Sequence, residues 1–137
     1  EENIDFKLNK ANILKKGTDA AIIACGEMVK PALDAARALE NEGISVSVVD
    51  MYCVKPIDEK TLLKAAENVN AVLTIEEHSI YGGLGSMVAQ IISRECPKKV
   101  YNMALPDEPV ITGSSKEVFE YYGMNSEGIR KKIKELI

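Results

Sequence analysis

Apolar positions along this chain change period several times, and each change marks an element. Residues 11–16 and 20–25 are short extended-type runs separated by the turn formers Gly17-Thr18-Asp19, which predicts a hairpin. Val29, Ala32, Leu33, Ala36 and Leu39 then recur at steps of three and four, the spacing of one helical face. Gly43 stands where a helix-ending glycine belongs, and Pro31 falls in the first turn, where its missing N–H is no loss. The β-branched run 44–51 reads as a strand. Pro56-Ile57-Asp58 opens a second helix reaching about Asn68, with Asp58 as N-cap. Residues 71–75 form a further strand, 76–82 a loop, and Leu84, Val88, Ile91 and Ile92 the buried stripe of a helix closed by Pro97. A fifth strand covers 100–105. Ser114 and Glu117 have capping-box spacing for a short helix to Tyr122. After Gly123, a terminal helix over 126–137 turns Ile129, Ile133, Leu136 and Ile137 inward.

After the opening hairpin, strand and helix alternate. That order implies an α/β fold, a three-layer α/β/α sandwich on a mainly parallel sheet with right-handed crossovers. No repeat or linker interrupts it, so residues 1–137 read as a single domain. Ligands and partner surfaces of such sheets gather at the carboxyl ends of the strands, here after Cys25, Met51 and Ile75.

Composition narrows the partners. The chain is 46% hydrophobic and 28% charged with net charge −4, and its basic residues are scattered apart from Arg130-Lys131-Lys132 beside Lys134, which argues against nucleic acid. Cys25, Cys53 and Cys96 have neither metal-ligand spacing nor the even number of a disulfide framework, and a reducing cytoplasm suits them. No apolar run approaches the ~20 residues that span a bilayer, and the acidic start, Glu1-Glu2, is unlike a signal peptide, so no membrane partner is expected. The absence of Met at position 1 points to a piece of a longer chain.

Chemistry concentrates in the stretch 76–86. Its glycines, set before a helix, would let backbone N–H groups approach an anion. Val88 nevertheless occupies a position where a dinucleotide fingerprint needs glycine or alanine, and Glu76 and Glu77 precede the loop. Tight helix-on-sheet packing and contact with another domain are the better reading. His78, the single histidine, is a candidate general base without a recognisable nucleophile. Cys25, just before a helix start, is a candidate activated thiol, although a buried small hydrophobe is the better reading of a strand-end cysteine. Asp50 with Asp58, and Glu76 with Glu77, are carboxylate pairs whose default roles are caps and solvated charges. Ser114 and Ser115 begin a helix that would accept an incidental anion.

Taken in order, Ile22-Ile23-Ala24-Cys25-Gly26, Lys55-Pro56-Ile57-Asp58, Glu76-Glu77-His78, Gly82-Gly83-Leu84-Gly85-Ser86, Pro106-Asp107 and Gly113-Ser114 resemble the C-terminal domain of transketolases, most nearly the two-subunit bacterial and archaeal kind. The resemblance runs from about Phe6 to Ile137. The same domain closes deoxyxylulose-phosphate synthases and the β subunits of 2-oxoacid dehydrogenases. Glu77-His78 with Gly-Gly-Leu-Gly looks most like transketolase, since the dehydrogenases more often carry Glu-Gly there.

The resemblance implies a five-stranded mixed sheet with the first strand antiparallel. It also implies a parent enzyme of the pentose phosphate pathway that moves a two-carbon ketol unit between sugar phosphates on thiamine diphosphate. In the family an N-terminal domain with a Gly-Asp-Gly motif holds the diphosphate and divalent metal (Mg), and a middle-domain glutamate activates the cofactor. Neither element occurs here, so no catalytic, cofactor-binding or metal residue carries over. The implied role is packing on the remaining domains or subunit and assembly of a homodimer. The candidate contacts are Tyr52, Lys55, Pro56, Glu76, Glu77, His78, Tyr81, Gly82, Gly83 and Gly85, with an apolar patch expected near 51–54 and 80–84. An independent phosphate- or nucleotide-binding module on the same sheet is the competing reading.

Overall fold

A computed structural model describes residues 6–137. Five strands, β1 (Asn12–Lys15), β2 (Ala20–Ala24), β3 (Val46–Asp50), β4 (Ala71–Ser79) and β5 (Lys99–Leu105), form one sheet in the order β1-β3-β2-β4-β5. β1 runs antiparallel to β3 and the other pairings are parallel. The helices are α1 (Val29–Asn41), α2 (Glu59–Ala66), α3 (Leu84–Glu95), α4 (Ser115–Tyr121) and α5 (Ser126–Leu136).

β2 is wholly buried because apolar side chains leave it on both faces. Ile22 and Ala24 meet α1 and α5 through Ala32, Ala36, Leu39, Ile129 and Ile133, whereas Ala21 and Ile23 meet Leu62 of α2 and Val88 and Ile92 of α3. The expected sandwich is therefore present.

Two expectations about its edges fail. The antiparallel direction of β1 is right, but its partner is β3 and not β2, so residues 11–25 make no hairpin. The connector bonds the start of β3: Thr18 and Asp19 N–H donate to the Ser45 carbonyl at 3.0 and 2.8 Å, and Asp19 Oδ2 accepts from Ser45 N–H at 2.7 Å. A fully apolar β2 gains more from two parallel neighbours than a short strand ending in Lys15 offers, and that strand suits an edge. At the other terminus Ile129 and Ile133 are buried and Leu136 packs on the core, but Ile137 is 47% exposed.

Asp58 ties the start of α2 to the segment ahead of β1. As the N-cap of α2 it accepts from Thr61 N–H at 3.0 Å and the Thr61 hydroxyl at 2.7 Å, and it also takes the Ala11 N–H, just ahead of β1, at 3.1 Å. Burial alone would raise its carboxyl, but these donors, aided by Lys10, outweigh burial and hold it below the usual range. A depressed pKa contributes stability that is present above the unfolded value and lost as pH falls through the folded one. Asp58→Ala is therefore expected to cost about 1–2 kcal/mol in urea unfolding at pH 7, with the gap to the unsubstituted protein closing below about pH 4.

Candidate functional site

β2 hands the chain to α1 on one face of the sheet and β4 hands it to α3 on the other, so a crevice is expected between these two loops at the carboxyl edge. Glu76 fills it. The residue is 4% exposed, and its Oε2 accepts from Leu84 N–H at 2.7 Å while Oε1 accepts from Gly85 N–H at 2.8 Å. These are first-turn donors of α3, whose partial positive charge would otherwise attract an anion from solution. The helix terminus is thus satisfied from within the chain, and a phosphate would have to displace a buried carboxylate.

The glycines follow from that packing. A Cβ on Gly83 would lie 2.2 Å from Glu76 Oε2, and one on Gly85 would lie 2.7 Å from Asn102 Cγ and 2.9 Å from the buried Thr74 hydroxyl. Gly82 takes φ +77°, and its N–H donates to Ser86 Oγ at 2.9 Å.

Glu76, Glu77 and His78 do not lie in a loop, because β4 continues to Ser79. The longer β5 still offers Leu105 as a partner after β2 has ended at Ala24, with a shift in register between Ile75 and Ser79. Glu76 continues the side of β4 that Val72 and Thr74 turn toward α3 and is buried there, whereas Glu77 leaves the opposite side and is exposed, so the two carboxylates point apart. His78 is exposed, its Nδ1 3.0 Å from the Ser79 carbonyl oxygen, and Tyr81 is 70% exposed beyond it. In the β3–α2 loop Tyr52 is half-buried, and Lys55 and Pro56 are exposed and joined by a cis peptide bond. The structure therefore sets Tyr52, Lys55, Pro56, Glu77, His78, Tyr81 and Gly82 along one edge of the sheet, with Glu76, Gly83 and Gly85 beneath as its support.

The apolar patch differs from expectation. Met51 and Leu84 are fully buried, and the exposed large apolar side chains near this edge are Tyr81 and, ahead of β1, Phe6 and Leu8. Cys25 is not an activated thiol: burial first, then the carboxylates of Glu76 and Asp50, push it up to about 11. A thiol held protonated in this way is a poor nucleophile, which counts against the activated-thiol reading. Asp50 is itself pushed up by burial, and Asp58 is committed to α2, so neither forms an acid–base pair with the other. Ser114 and Glu117 complete the expected capping box. A separate cleft of about 750 Å³ lies between α1 and the α4–α5 corner, lined by Lys30, Pro31, Asp34, Lys116, Phe119 and Met124 among others. Its lysines pair internally, Lys30 with Asp34 at 2.6 Å and Lys116 with Glu120 at 3.9 Å.

Residues 9–129 match the family model described as transketolase, C-terminal domain. The chain is 43% identical to one subunit of the apulose-4-phosphate transketolase of Phocaeicola vulgatus, an alignment covering 99% of this chain and 43% of that one. It is 41% identical to a putative transketolase C-terminal section of Methanocaldococcus jannaschii, over 98% of this chain and 42% of that one. Among solved structures, a split-gene transketolase described as an inactive tetramer of its β chain superposes with TM-score 0.90 at 38% identity, covering 99% of this chain and 45% of that chain. This chain therefore spans under half the length of these relatives. On the family match, the sheet order and the antiparallel first strand together, the chain belongs to the transketolase C-terminal domain family.

Proposed function

We propose that this chain is the non-catalytic C-terminal domain of a transketolase-type enzyme and that its carboxyl edge packs on the enzyme's other domains or subunit. The parent enzyme moves a two-carbon ketol unit between sugar phosphates in the cytoplasm, with thiamine diphosphate and Mg held outside this chain, and assembles as a homodimer. The single observation that carries the reading is Glu76. The anion-binding end of α3 is capped by the chain's own carboxylate, while Glu77, His78 and Tyr81 are presented outward at the same place. A diphosphate does not fit there, and among the described residues no three His, Cys, Asp or Glu side chains converge as a metal-ligand set.

The domain's own contribution is geometric. A rigid sheet whose carboxyl edge is fixed by buried contacts holds neighbouring domains in register, and reactivity depends steeply on such positioning. Supplied with thiamine diphosphate, Mg and sugar phosphates, the isolated chain is expected to show no ketol transfer, and turnover is expected only when the missing domains are added. Turnover by the chain alone would overturn this reading. A thermal shift of several degrees with a nucleotide or sugar phosphate at micromolar concentration would favour the binding-module reading.

A further inference from the structure

The route by which the chain enters the domain carries one more inference, which rests on the interdomain reading above. β3 ends at Asp50, and the polypeptide ahead of β1 passes beyond that end and then turns at Leu8 and Asn9, Asn9 adopting φ +57°. There Tyr52 meets it. The Lys7 N–H donates to Tyr52 Oη at 3.1 Å, and the same hydroxyl donates to the Lys7 carbonyl at 3.2 Å. In an antiparallel ladder, two opposed residues exchange both backbone hydrogen bonds. Here one phenol replaces the missing residue of β3 and makes both bonds to Lys7, extending the sheet's grip past its last rung.

Two further contacts make the grip directional. The Phe6 ring stands edge-on to Tyr52, centroids 4.8 Å apart at 87°, a favoured aromatic geometry. On the other side of the turn the Ala11 N–H is held by Asp58. The entering segment is therefore fixed on both sides of its bend, although Phe6 is 64% and Leu8 82% exposed. A surface segment with so little burial would otherwise sample many directions at small cost.

We infer that Tyr52 is a positioning residue: it fixes Phe6 and Lys7 beyond the carboxyl end of β3, and so holds the polypeptide that leads into them beside the carboxyl edge of the sheet. The occupant of that edge is then the N-terminally adjoining domain of the same chain. Phe6 meets Tyr52 at the root of the contact, and Asn9 and Lys10 line a shallow cleft with Pro56.

Tyr52→Phe tests this, because it keeps the ring and its contact with Phe6 but removes both hydrogen bonds to Lys7. In the chain as it stands, the Lys7 amide is expected to exchange about tenfold faster, while amides of the buried β2 residues Ile22 and Ile23 keep their protection and report an intact fold. Unchanged Lys7 exchange would overturn the clamp. In the chain produced together with the polypeptide encoded ahead of Glu1, hydrogen exchange across 52–56 and 77–83 is compared with the shorter chain. Extension is expected to slow exchange there in the unsubstituted protein, and Tyr52→Phe to abolish most of that slowing. Slowing that is equal in the unsubstituted protein and Tyr52→Phe would overturn the role of Tyr52 and leave the interdomain reading standing. No slowing in the unsubstituted protein would overturn both.

Discussion

Replacing Glu76 by alanine is expected to cost about 3–5 kcal/mol in urea unfolding, the largest effect of any single change at the carboxyl edge. Three terms act in one direction. The substitution removes two short charge-assisted hydrogen bonds, it leaves the Leu84 and Gly85 N–H groups buried without an acceptor, and it opens a void under Gly83. Glu76→Gln is expected to cost less, about 2 kcal/mol, because one carbonyl oxygen still accepts while the amide nitrogen opposes the second donor. The emptied helix terminus also becomes a real anion site, so Glu76→Ala is expected to gain stability from millimolar phosphate that the unsubstituted protein does not gain. Equal unfolding midpoints for Glu76→Ala and the unsubstituted protein, or an equal response to phosphate, would show that the carboxylate is not the internal ligand described here.

The second large effect is expected at Gly17. A Cβ there would lie 2.3 Å from the Val46 carbonyl carbon and 2.4 Å from its nitrogen, atoms of the β3 backbone that cannot turn aside as a side-chain end can. The Ser47 hydroxyl, 5% exposed as a residue, also accepts from Gly17 N–H at 2.8 Å and donates to the Gly17 carbonyl at 3.0 Å. Gly17→Ala must push the connector off β3 and break both bonds, for about 3 kcal/mol. If β1 is released from the sheet as a unit, the dependence of unfolding free energy on urea should fall as well, since less surface remains to be exposed. A midpoint unchanged by Gly17→Ala would mean that the connector moves freely, and the pairing of β1 with β3 would then need another cause.

Gly17 also shows what a local reading leaves out. As part of Gly-Thr-Asp between two extended runs it reads as a turn former, yet its φ is not in the left-handed region. Its requirement is lack of bulk, and the atoms that impose it come from Val46, far along the sequence. Glu76 is a similar case. Two acidic residues ahead of a glycine-rich helix start are visible in the sequence, and they count against an anion site, but nothing local says which of them turns inward. That was decided by β5, which keeps residues 76–79 extended, and by α3, whose first turn covers the side of β4 that carries Glu76. The Tyr52 clamp left no signal beyond an aromatic residue after a strand, because its partner Lys7 contributes backbone atoms alone.

By itself the sequence determined the element types outside 76–79, the three layers, the caps at Asp58 and Ser114 and the family, because periodicity, capping and ordered motifs are written in neighbouring residues. It also offered no recognisable local motif that pairs His78 with a serine or cysteine nucleophile. Only the tertiary structure decided which strand β1 joins, which glutamate caps α3, why Cys25 stays protonated and where the chain enters. Each of those depends on atoms brought together across the sheet, and the free energy of a buried carboxylate, a close backbone approach or a borrowed ladder rung exists only once those atoms meet.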